Sequence, residues 1–230
     1  MSRAGALALA CLVLLIGSAG EAAAQSRGWP GRMELAAGAG WATGFAVGRS
    51  AAELIRNQAP AGTFTLFRTT SEVRPTRTVE AYLGVNLTPA IALEGHVSRG
   101  RPELRTTVSD DEEQAAGATV AETLTRYELD AGVVWHITRA AFGGGRGMPY
   151  LGTGAGYLRE LHEGRVVSEN GLLYHAAVGV KYRIIDRPAG LLKGVGVRGE
   201  YRLKVRDGGI DLEDRRRTPA TVSIAVVVVL

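Results

Sequence analysis

The stretch YELDAGVVWHI, residues 127–137, places an apolar side chain at every second position: Tyr127, Leu129, Ala131, Val133, Trp135 and Ile137. Glu128, Asp130, Gly132, Val134 and His136 fill the places between. A period of two belongs to a β-strand, whose side chains point alternately to opposite faces. The pattern recurs along the chain. It predicts eight strands, over 33–47, 77–87, 90–104, 121–138, 149–161, 171–184, 194–206 and 219–230. Turn residues separate them, in NLTPA, FGGGRGMP, SENG, DRPAG and VRDGG. No segment carries a long helical period. One short helix is predicted at SAAELIRNQ, where Ser50 and Glu53 stand in capping-box spacing ahead of Pro60.

The connections alternate in length. Long polar links, 48–76, 105–120, 162–170 and 207–218, follow the first, third, fifth and seventh strands. Tight turns with Pro and Gly follow the second, fourth and sixth. A membrane barrel has this asymmetry, with long loops outside and short turns inside, and it needs an even strand number.

The first 24 residues read as a secretory signal. Arg3 is followed by the apolar run ALALACLVLLI, residues 6–16, and by an A-x-A site at Ala22 and Ala24 that predicts cleavage before Gln25. Residues 25–230 then form one domain. Cys11, the only cysteine, lies in the signal, which excludes disulfides and thiol chemistry from the mature chain. After the signal no apolar run reaches 18 residues, so a helical membrane protein is excluded. The formal charge is +4, but no basic stripe with interleaved aromatics exists to hold nucleic acid.

Alternation alone does not say which face is dry. One face collects Glu34, Glu80, Glu94, Glu128, Asp130, Glu200, Arg126, Lys181, Arg183, Arg198, Arg202 and Lys204, with His96, His136 and His175. Both signs are well represented. In a narrow closed lumen these charges must pair, because an unpaired buried charge is very costly, and Glu128 and Glu200 are each expected to meet an inward arginine, Arg126, Arg198 or Arg202. The aromatics favour an inward polar face. Tyr127 and Trp135, and again Tyr174 and Tyr182, stand eight residues apart on descending strands. Eight tilted strand residues rise roughly 20 Å, close to the height of a lipid-facing apolar band. Trp41, Phe45, Tyr157 and Tyr201 are expected outward at the outer end, completing an aromatic girdle. Outward Arg99 and Arg159 are expected at the outer rim. A soluble barrel with the charges outside is the alternative, and the final strand TVSIAVVVVL argues against it as an aggregation-prone edge.

The segments MELAAGAGWATG, AYLGVNLTPAIALEGHVSRG, YELDAGVVWHI, PYLGTGAGYL and VRGEYRLKV resemble the small outer-membrane β-barrel family, which includes the transmembrane domains of OmpA, OmpX and OmpW. The resemblance implies an all-β, eight-stranded antiparallel up-and-down barrel with a polar lumen and a lipid-facing apolar band. It implies a bacterial outer-membrane location, contact with outer-membrane lipid and lipopolysaccharide, and a monomer without cofactor. The family usually ends in an aromatic residue, whereas this chain ends in Leu230, with Ile224, Val226 and Val228 at the alternate apolar positions.

Chemistry is sparsely signalled. The glycine-rich GAGWATG and GTGAGY imitate phosphate loops, but no helix follows either, and they read as inward strand glycines that make room for long side chains. Glu94, His96 and Ser98 share one face and form the inventory of a hydrolytic triad, but would point into the lumen. His96, His136 and His175 lack a metal-ligand spacing. The expectation is a non-enzymatic envelope protein with a lumen plugged by charge pairs. A narrow solute pore and a lipid-modifying enzyme are the alternatives.

Overall fold

The computed structural model describes residues 32–56, 62–110, 117–163, 167–187, 190–210 and 216–230. The expected signal, 1–24, lies outside the described residues. The strands are β1 (Met33–Ala42), β2 (Phe45–Arg56), β3 (Gly62–Val73), β4 (Thr76–Asn86), β5 (Ile91–Gly100), β6 (Glu103–Ser109), β7 (Ala118–Thr123), β8 (Thr125–His136), β9 (Gly147–Leu161), β10 (Ser168–Asp186), β11 (Gly194–Gly208) and β12 (Ala220–Val229). No α-helix occurs among the described residues.

Eight of these strands close into one antiparallel barrel, ordered β1-β12-β11-β10-β9-β8-β5-β4. Each barrel strand pairs with its neighbours in chain order, and the first closes on the last through Glu34↔Val229 to Ala42↔Thr221. Closure leaves the Val-rich β12 with a partner on each side, β1 and β11, so its edges are covered.

The other four strands form a second sheet, ordered β2-β3-β6-β7. They continue the hairpins of β1, β4, β5 and β8 beyond the barrel rim. The upper strands β2 and β3 have 12 residues each and rise roughly 40 Å. The described residues of links 48–76 and 105–120 are therefore largely strand. Ser50 and Glu53 pair with Thr69 and Thr65, so the predicted helix is absent over the described residues 50–56, while 57–58 lie outside them. The ladder to β3 satisfies these backbone groups for the full strand, whereas a capping box satisfies two.

The break at Thr43 and Gly44 reverses the inside-outside phase. Trp41 is outward, but Phe45 and Val47 turn toward the barrel mouth. Phe45 is thus not an outer-girdle residue. Its ring lies beneath the guanidinium carbons of Arg126 and Arg206, at 5.6 and 4.7 Å.

The turns at the opposite end are short. Thr88 Oγ1 accepts from the backbone N–H groups of Ala90 and Ile91 in the β4–β5 turn. In the β8–β9 turn, Gly143, Gly144 and Gly145 have φ of 61, 71 and 88°, which only glycine adopts freely.

Apolar side chains cover the outside of the barrel. Val79, Leu129 and Ile224 are 70, 63 and 66% exposed, and Val178, Val222 and Val226 are exposed with them. Charged side chains fill the inside. This is the reverse of a soluble barrel, and only an apolar surrounding makes it favourable. Among the described residues no helix is long and apolar enough to cross a membrane, which says nothing about crossing by strands.

Candidate functional site

The lumen is the site the sequence points to. Among the described residues, seven acids are buried there (Glu34, Glu80, Glu94, Glu128, Asp130, Glu160, Glu200) with seven Lys and Arg (Arg126, Lys181, Arg183, Arg198, Arg202, Lys204, Arg206). The formal charges cancel, so an all-paired interior is attainable.

Strand β11 is the spine of this network. Its inward residues Arg198, Glu200, Arg202, Lys204 and Arg206 climb the barrel, and each meets other strands at its own level. Lowest of these, Arg198 forks onto Glu94 with N–O distances of 2.6 and 2.8 Å and also donates to Glu200. β5 lies four strands from β11 in either direction, so the Arg198–Glu94 pair spans the full lumen. Its guanidinium carbon lies 4.1 Å from the Tyr82 ring centroid and 4.9 Å from that of Tyr150. Tyr150 donates to Glu200 at 2.7 Å.

One level higher, Arg202 donates to Glu200 at 2.9 Å and to Asp130 at 3.1 Å. His96 Nδ1 is 2.7 Å from Asp130, and its other ring nitrogen is 3.7 Å from Glu80. Glu80 accepts from Thr78 and Tyr82, and His175 approaches Asp130 at 3.5 Å. Above them Lys204 meets Glu128 at 2.5 Å, with Ser98 also donating to Glu128. At the mouth Glu160 holds both Arg126 and Arg206, at 2.7 and 2.6 Å, and accepts from the Ile210 backbone.

Toward the turn end, Lys181 reaches Glu34 at 2.5 Å and His136 at 3.3 Å, while Asn86 donates to Glu34. Arg183 pairs with Asp186 at the base. Apolar clusters fill the space around the network. Met148, Val227 and Val229 pack beside the Lys181–Glu34 pair, and Val47, Val73, Leu124 and Ile210 pack at the mouth. The void beside Asp130, His175 and Arg202 is about 10 Å³, room for a single water.

Glycines make this packing possible at particular places. A Cβ on Gly179 would sit 2.3 Å from the Tyr150 hydroxyl, and one on Gly40 would sit 2.7 Å from Glu80 Oε1. The glycine-rich stretches GAGWATG and GTGAGY lie in and beside β1 and β9, with no helix after them.

One pairing departs from the expectation that Glu128 and Glu200 each meet an inward arginine. Glu200 does, twice. Glu128 instead meets Lys204, because the β8–β9 register sets Arg126 beside Glu160. Glu160 and Arg206 were missed, although both continue the inward phase of their strands. Glu94, His96 and Ser98 are each engaged by a different partner, namely Arg198, Asp130 and Glu128, which is not a hydrolytic relay. Among the described residues no three His, Cys, Asp or Glu side chains are placed to hold a metal ion.

On the outer wall, Trp41, Tyr127, Trp135, Tyr157, Tyr174, Tyr182 and Tyr201 are all exposed. Trp41 and Tyr201 flank Val222 in one ladder row toward the loop end. Trp135 and Tyr182 lie toward the turn end, where Phe142 stacks on Tyr182 with centroids 6.2 Å apart. Phe142 sits in a turn and has no strand period to reveal it. Arg99 and Arg159 are exposed on either side of Tyr127, at the loop end.

No family model and no curated protein matches the sequence. Among solved structures, Neisserial surface protein A (NspA) is similar with a TM-score of 0.51 at 12% identity, over 86% of this chain and 97% of that one. Ail, the attachment invasion locus protein of Yersinia pestis, aligns over 86% of this chain and 99% of its own, with a TM-score of 0.39 at 12% identity. With eight strands closed in chain order, charges inside and apolar side chains outside, the chain has the fold of the small outer-membrane β-barrels.

Proposed function

We propose that this protein is a non-enzymatic outer-membrane barrel that anchors and displays its external sheet and does not conduct. The observation that carries this reading is the Arg198–Glu94 pair across the full lumen, stacked between the Lys181–Glu34 pair on one side and the Lys204–Glu128 and Glu160 pairs on the other, with an apolar cluster at the mouth. Such a filled section leaves no path for a hydrated ion. The sheet β2-β3-β6-β7 is then the part offered to the outside, where its length gives a surface for interaction. The buried state of Ser98 and His96 argues against chemistry on lipids, whose acyl chains lie outside the wall.

Purified protein in planar bilayers should give no stepwise conductance. Large, reproducible steps would overturn the plugged reading in favour of a pore. Proteases applied to intact cells should cut within 48–76 or 105–120 and spare 139–148. Cleavage confined to 139–148 would invert the orientation.

A further inference from the structure

The barrel wall carries a second feature, unrelated to the lumen. Where β4 and β5 pass into the upper sheet, Pro75 and Pro102 interrupt the strands. Proline lacks the N–H that a ladder needs, so the sheet steps at this level. The step leaves a groove of about 520 Å³ on the outer wall, lined by Trp41, Val79, Arg77, Arg99 and Arg101 among others.

Three arginines thus converge beside an apolar floor. All three are exposed. None forms an ion pair with another described residue, since the neighbouring acids are already engaged: Glu72 with Arg74 at 3.1 Å and Glu103 with Arg105 at 2.9 Å. Arg99 lies over the Tyr127 ring at 5.6 Å. The register fixes the height of the groove. Arg77 stands opposite Trp41, and Arg99 opposite Val79 and Tyr127. The cations therefore lie at the level of the outer aromatic girdle, with bare apolar wall directly below.

We infer that this groove binds a phosphate-bearing lipid of the surrounding leaflet, the phosphate held by Arg77, Arg99 and Arg101 and the acyl chains laid along Trp41 and Val79. Arginine is suited to this, because its planar fork matches two phosphate oxygens at once. The height of the groove selects a lipid over a soluble anion, since a free phosphate gains nothing from the exposed apolar floor. The inference rests on the barrel being inserted in a membrane, as proposed above.

Trp41 provides the readout. A variant carrying Trp29→Phe and Trp135→Phe leaves Trp41 as the sole tryptophan, and it is refolded into phosphatidylcholine vesicles. Quenching by brominated phosphatidylcholine reports insertion itself. Brominated phosphatidic acid should then quench with an association constant about fivefold higher or more, as expected for several arginines beside one anionic headgroup. Replacing Arg77, Arg99 and Arg101 together by Gln should bring the ratio to about one while insertion quenching persists. A ratio near one in the parent protein, or an unchanged preference in the triple variant, would overturn the inference. So would loss of the preference on adding inorganic phosphate, which would mark a soluble-anion site. Failure of any brominated lipid to quench Trp41 would overturn the membrane reading and this inference together.

Discussion

Replacing Arg198 by Ala is expected to cost about 3–5 kcal/mol of barrel stability, because removing one partner of a buried pair strands the other charge. Arg198 holds Glu94 with both arms of its fork, touches Glu200, and lies against the rings of Tyr82 and Tyr150. Without it, Glu94 retains only Arg202 as a cationic partner among the described residues, at 3.8 Å. Arg198→Lys should fall between, since an ammonium cannot reproduce the planar fork. Combining Arg198→Met with Glu94→Gln should recover part of the loss by removing both charges of the pair. Denaturant titrations of protein refolded in vesicles measure each effect. If Arg198→Ala stayed within about 1 kcal/mol of the parent, the network would be surplus to stability and the plug argument would fail.

The second large effect lies on the opposite face of the wall. Val178 is exposed, midway along β10 between Tyr174 and Tyr182. An arginine there would stand near the bilayer midplane, and Val178→Arg is expected to cost about 2–4 kcal/mol in the same titration. Thr107→Arg, on the exposed face of β6, should be nearly neutral. Equal tolerance of the two changes would mean that water, not lipid, meets the apolar wall.

These contrasts show how much was legible beforehand. All eight barrel strands were visible as alternating segments, because a strand with one dry and one wet face must alternate. The inward residues followed from the same phase: Glu80, Glu94, Arg126, Glu128, Asp130, Lys181, Arg183, Arg198, Glu200 and Arg202 are all buried in the lumen. Phase reading failed where the strand was interrupted. Phe45 follows Trp41 by four residues and would share its face on an unbroken strand, but the break at Thr43 and Gly44 turns it to the mouth. The external sheet is not legible as strand in the sequence because its strands have polar residues on both faces. Polarity resembles a loop when only one face is expected to be wet, yet backbone pairing needs no apolar face.

What the sequence determined by itself is the division of side chains into two sets, one charged and balanced, one apolar, with the period that puts them on opposite sides of a sheet. That information is local, since it depends on neighbours two residues away. Beyond near neighbours such as Glu200 with Arg198 and Arg202, the identity of a charge's partner is not local. Arg198 and Glu94 are 104 positions apart and meet only because the ladder closes on eight strands with one register. Glu128 takes Lys204 in place of an arginine for the same reason: a shift of register by two residues would bring a different inward side chain to its level. The groove of Arg77, Arg99 and Arg101 likewise exists only in the assembled wall, where two prolines distant in sequence interrupt adjacent strands at one height.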